Sequence, residues 1–236
     1  MAQAVELDTD TRGETSNALD VTASFKVLIT GFGPFKTHTI NPSWEAVSLL
    51  PDRIPNTNIE IVKEQIQVSY NYVDVTVPAL WKKYNPDLVI HVGVSDMADK
   101  ITLEVCGHRD NYASEDIYRK LPPNLKCKAA ELCQCTDSID VIKTALDVES
   151  LVKEFQTNKA NINQVLDIDI SRVDVCVSSN AGRYLCEYIY YTSLCLDNNR
   201  CLFIHVPTIN SPYSLQELTQ SLLCIIYIIS QGQLSK

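Results

Sequence analysis

The stretch RVDVCVSSNAGRYLCEYIYYTSLCLDNNRCLFIHVP, residues 172–207, decides the fold. It opens on a run rich in valine, passes through a Gly-containing turn into an aromatic segment long enough for a helix, and ends on a second apolar run stopped by Pro207. That is the pattern of a strand over 172–178, a helix over 182–196 and a strand over 201–206. Such a unit predicts a parallel crossover, with the helix start at the carboxyl edge of the first strand.

The same alternation extends outward. FKVLITGF (25–32) reads as a strand ending near glycine, and Asn41-Pro42 as an N-cap with proline at the first helical position, opening a helix over Ser43–Leu50. A strand over 59–68 follows. A helix over 69–84 carries Val73, Val77, Leu80 and Tyr84 on one stripe, with a kink expected at Pro78. PDLVIHVGV (86–94) is the continuous apolar run of a strand covered on both faces. ITLEV (101–105) is a short strand, 107–140 a long polar loop and 138–157 a helix. A polar linker, the 172–206 unit and a last helix over Leu215–Ser230 complete the chain. Strands alternating with helices imply an α/β domain with a mostly parallel sheet over 25–236. The acidic, aperiodic residues 1–24 predict a disordered tail.

Composition narrows the function. The 236 residues are 45% hydrophobic and 21% charged, ordinary for a globular domain. A net charge of −9 argues against a nucleic-acid binder. The apolar run LLCIIYII (222–229) is far shorter than the roughly 20 residues of a membrane span. The first residues lack a basic start and hydrophobic run, so the nine cysteines suggest free thiols in a cytoplasmic setting. Cys127, Cys133 and Cys135 are spaced C-x₅-C-x-C, unlike a zinc site, so reduced cysteines in a surface loop are expected there rather than a metal.

Ligands of open α/β sheets bind beyond the carboxyl ends of strands. Cys186 falls in the first turn of the 182–196 helix, where unpaired N–H groups and the helix dipole favour a thiolate and could hold an oxyanion. The alternative is an inert core cysteine. His205, near the end of the next strand, is a candidate base or a structural histidine; His91, mid-strand, leans further towards structure. Glu104 could orient an imidazole or be a solvated edge residue. In TGFGPF (30–35) the G-x-G-x-x-G pattern fails at Lys36, so Phe32 and Phe35 suit an apolar slot for a flat ring better than a phosphate loop.

TGFGPF with NPSWEAV (30–35, 41–47), HVGVSDMADKITLEVCGH (91–108), SSNAGRYLCEYIYYTSL (178–194) and FIHVP (203–207) together resemble pyroglutamyl-peptidase I, a family of cysteine exopeptidases, in its eukaryotic form. The resemblance covers the chain from about residue 25 onward. It implies a three-layer α/β/α sandwich of the phosphorylase/hydrolase-like type, and removal of N-terminal pyroglutamate from small peptides without a cofactor. It implies Cys186 as nucleophile, His205 as base and Glu104 as its orienting carboxylate. Phe32 and Phe35 would bracket the lactam, with Asn41 and Tyr184 as further substrate contacts. Bacterial members carry an arginine downstream of the glutamate, near the oxyanion site; the matching region here reads CGHRDNYAS and leaves open whether Arg109 corresponds to it. Eukaryotic members resemble monomers where bacterial ones often form tetramers; the sequence itself leaves assembly open. The segment NINQVLDID (161–169) resembles an addition. A silent pyroglutamyl-peptide binder, a thiol amidase of other specificity and a nucleoside- or phosphate-handling enzyme are the competing readings.

Overall fold

The computed structural model describes residues 24–35, 39–133 and 139–234. The expected disordered tail, but for Ser24, lies outside the described residues, as do Lys36 and Cys135.

The elements in chain order are β1 (Phe25–Phe32), α1 (Pro42–Ser48), β2 (Ile59–Ile66), α2 (Tyr70–Tyr84), β3 (Leu88–Val94), β4 (Ile101–Glu104) and β5 (Cys106–His108), followed by β6 (Val141–Lys143), α3 (Val148–Thr157), α4 (Lys159–Leu166), β7 (Val175–Ser178), α5 (Leu185–Leu196), β8 (Cys201–Val206) and α6 (Leu215–Leu234). Six strands form one sheet in the order β2-β1-β3-β8-β4-β7, and β5 and β6 pair as a small antiparallel ribbon. Two cores lie on opposite faces of the sheet. α1, α3 and α6 cover one face, through Val47, Phe155 and Ile225 among others. α2 and α5 cover the other, through Val73, Tyr188 and Ile189. This is the three-layer α/β sandwich that the alternating elements imply.

Local signals account for most element ends. The Asn41 side chain accepts from Ser43 N–H, and Pro42 occupies the first helical position of α1. Asp147 caps α3 by accepting from Ser150 N–H, and α2 closes on Asn85 in the left-handed conformation. The helix α2 continues through Pro78 without a break.

Three expectations are corrected. The loop expected over 107–140 takes in the end of β5, and the helix expected from 138 begins only at Val148, because Val141–Lys143 pair with Cys106–His108. The linker before β7 contains α4, whose Ile162 is buried in the core. Most consequentially, β7 and β8 are not parallel neighbours. β4 lies between them, parallel to β7 and antiparallel to β8. The strand–helix–strand pattern is present, but β7 runs opposite to β8, so residues 179–184 return the chain towards the carboxyl end of β8 before α5 begins. Periodicity identifies strands; it does not encode their direction or which strand inserts between them.

Candidate active site

The carboxyl ends of β1, β3 and β8 form one edge, and α5 begins over it. Gly93 in β3 pairs with His205 in β8. A methyl group at Gly93 would lie 2.7 Å from the Cys186 sulfur and 2.8 Å from the Phe203 ring. The sulfur therefore rests directly on the Gly93 backbone, beside the strand position of His205. A glycine inside a strand run marks such a close approach, and in HVGV that signal is readable from sequence.

The reversed direction of β4 supplies the carboxylate. Glu104 pairs with Phe203 and Thr102 with His205, so Phe203, His205 and Glu104 share the face that α5 covers. Glu104 thus sits one layer deeper than His205 and reaches its Nδ1 at 2.8 Å through Oε1. The Tyr190 hydroxyl donates to the Glu104 backbone carbonyl at 2.8 Å and ties this strand to α5. Glu104 is 2% exposed and His205 8%, and the second carboxylate oxygen of Glu104 has no partner among the described residues. Burial acts to lower the His205 pKa, but its interactions with the Cys186 sulfur and the Glu104 carboxylate outweigh it and raise the pKa to about 9. Cys186 is the second residue of α5, and Tyr184 at the N-cap contributes no side-chain cap, so the first helical N–H groups are not taken up by it.

All four expected substrate contacts gather beside the sulfur. Phe32, Phe35, Asn41 and Tyr184, with Val68, Val94, Leu185 and Cys186, line a narrow slot. Sequence reasoning missed the valines and Leu185, which line it only because their strands and helix end at this edge. Asn41 has most of its polar capacity engaged: its amide donates to the Gly33 carbonyl at 2.9 Å and its oxygen accepts from Ser43 N–H and Oγ. It shapes the slot by tying the start of α1 to Gly33. Gly31 lets α1 close on the sheet, since a methyl there would meet the Ser43 carbonyl and Trp44 backbone at 2.7 Å. The Tyr184 hydroxyl donates to the Glu115 carbonyl at 3.1 Å.

The other titratable groups are accounted for. His91 is buried between the hydroxyls of Thr30 and Ser193, each at 2.7 Å, and burial pushes its pKa down to about 3; it is a neutral core histidine. Arg109 pairs with Asp110 and Asp140 and lines a separate pocket beside Lys126 and Cys127. A cluster unseen in sequence braces the start of α5. The fully buried Glu187 carboxylate accepts from His108 Nδ1 and from Arg183, each at 2.7 Å. Burial raises its pKa, and the two partners oppose that rise.

Comparison with known proteins agrees with this geometry. The family model described as pyroglutamyl peptidase matches residues 25–119. The chain is 38% identical over 200 residues to human pyroglutamyl-peptidase 1, covering 85% of this chain and 87% of that one. It is 32% identical over 190 residues to the pyrrolidone-carboxylate peptidase of Thermococcus onnurineus, covering 78% and 84%. The crystal structure of pyroglutamyl peptidase I from Bacillus amyloliquefaciens superposes with a TM-score of 0.67 at 26% identity, over 86% of this chain and 95% of that one. A pyrrolidone carboxyl peptidase from Fervidobacterium islandicum, at 21% identity and a TM-score of 0.72, shares the fold. Relatedness of this extent settles the family: the chain belongs to the pyroglutamyl peptidases.

Proposed function

We propose that this protein is a cysteine peptidase that removes N-terminal pyroglutamate from peptides, with Cys186 as nucleophile, His205 as proton carrier and Glu104 as the group that orients His205. The observation that carries the reading is the buried imidazole, bonded to Glu104 at 2.8 Å on one side and against the Cys186 sulfur on the other, beside an apolar slot. A pKa near 9 keeps the imidazole protonated at neutral pH, ready to give its proton to a departing amine.

The lactam enters the slot between Phe32 and Phe35. A charged amino terminus would lose its hydration there unpaired, so the slot selects blocked peptides. The thiolate attacks the carbonyl that follows the ring. The first N–H groups of α5 hold the oxyanion. The imidazolium then protonates the departing amine as the C–N bond breaks, leaving a thioester. Neutral His205 takes a proton from water, the resulting hydroxide attacks the thioester, pyroglutamate leaves and the thiolate–imidazolium pair is restored. Glu104 holds the imidazole in the tautomer that aims Nε2 at the sulfur.

No described helix is long and apolar enough to cross a membrane. The eight described cysteines are unpaired, which supports a reducing, cytoplasmic location.

The test is hydrolysis of pyroglutamyl-aminocoumarin against prolyl-aminocoumarin, with and without iodoacetamide. The first substrate turns over, the second does not, and alkylation, Cys186→Ser and Cys186→Ala each abolish activity. Turnover retained in both variants refutes the assignment.

A further inference from the structure

The scissile bond has two sides, and the site has two compartments. The slot of Phe32 and Asn41 takes no lining from His205, whereas an adjoining cleft is lined by His205, Glu104 and Cys186. In the proposed reaction His205 protonates the departing amine, so the residue that follows pyroglutamate must lie on the His205 side.

That side has a defined architecture. α5 packs on β3, β8 and the β5–β6 ribbon, and the sheet continues past it through β4 and β7. The α5-side face of these last two strands forms a shelf. Thr102 pairs with Cys176 and Glu104 with Ser178 across it, and Thr102, Cys176 and Ser178 are half-buried. Ser95, Met97 and Ala98 from the β3–β4 connection form one wall of the cleft, and Asn180, Ala181 and Gly182 the other.

We propose that this shelf binds the residue following pyroglutamate and selects for an apolar side chain there, with Met97 as the contact that discriminates; the proposal rests on the peptidase reading above. Met97 is 96% exposed, a large apolar side chain left open at the rim of the cleft. The lining contains no Lys, Arg or Asp, and its Glu104 is turned into the bond with His205. A charged side chain on the leaving peptide would shed water on this shelf without meeting a free counterion, because the His205 imidazole is held between Glu104 and the Cys186 sulfur. An apolar one would cover Met97, and both would gain.

The experiment compares released pyroglutamate from pyroglutamyl-phenylalanyl-alanine, pyroglutamyl-aspartyl-alanine and pyroglutamyl-lysyl-alanine, as kcat/KM, for the wild type, Met97→Asp and Met97→Leu. The wild type favours the phenylalanyl over the aspartyl peptide by about fivefold or more, the effect of partial burial of one apolar side chain. Met97→Asp lowers the phenylalanyl value by about fivefold and raises lysyl relative to phenylalanyl, while Met97→Leu keeps the wild-type order. Because Met97 is exposed, neither change threatens folding. Ratios unchanged within about twofold in Met97→Asp, or Met97→Leu as impaired as Met97→Asp, overturn the proposal while leaving the peptidase reading intact. A wild type that releases no pyroglutamate from any of the three overturns both.

Discussion

Replacing Gly93 with alanine should disable the site without unfolding the protein. The added methyl would stand 2.7 Å from the Cys186 sulfur and 2.8 Å from the Phe203 ring. Favourable carbon contacts begin near 3.5 Å, so the sulfur must retreat by about 0.8 Å, by rotating or by lifting the first turn of α5. Phe203 is fully buried and cannot give way on the other side. A displacement of about 1 Å at a reacting centre costs on the order of a hundredfold, so kcat/KM on pyroglutamyl-aminocoumarin should fall by roughly 30- to 100-fold. The overpacking should cost about 1–3 kcal/mol in a denaturant melt, leaving a folded protein. Gly232→Ala is the control: a methyl there meets nothing within 4 Å, so activity is unchanged and the helix gains roughly 0.5–1 kcal/mol. Full activity in Gly93→Ala, with its fold intact, would refute the placement of the sulfur against β3.

Two further outcomes follow from the electrostatics. Glu104 helps raise the His205 pKa to about 9, so the alkaline limb of kcat/KM should lie near pH 9 and move to lower pH in Glu104→Gln, with a smaller loss of rate than Cys186→Ser; an unmoved limb contradicts the orienting role. The sign for folding agrees: an imidazole raised from 6.5 contributes stability that is fully present below pH 6.5 and lost as pH climbs towards 9. Arg183→Leu should leave one oxygen of the buried Glu187 carboxylate unpaired and cost about 2 kcal/mol, below the usual buried-pair penalty because Arg183 is partly exposed. Glu187 already has a raised pKa, so this loss should be larger at pH 8 than at pH 5; equal losses in urea melts at the two values argue against an ionised Glu187.

Sequence and tertiary structure contributed differently. Apolar runs, the Asn41-Pro42 cap and the stripe on α2 are local signals, written within a few residues, and they fixed nearly every main element and the layer class. The motif residues carried Cys186, His205, Glu104 and the paired phenylalanines. The two short strands β5 and β6 were invisible because three residues carry too little periodicity, and α4 because its single buried side chain, Ile162, leaves no stripe. Strand direction was likewise out of reach. A parallel crossover was the natural reading of 172–207, yet β4 inserts with reversed polarity, and that reversal is what brings Glu104 in behind His205. The bracing of α5 by Glu187, His108 and Arg183, and the shelf beyond it, exist only once segments some 75 residues apart or more are packed together. Sequence by itself determined which residues could react and which segments would be strands or helices, because those properties are local. The tertiary structure alone decided which of them meet, because pairing partners and strand polarity are set by the energy of closing the whole sheet.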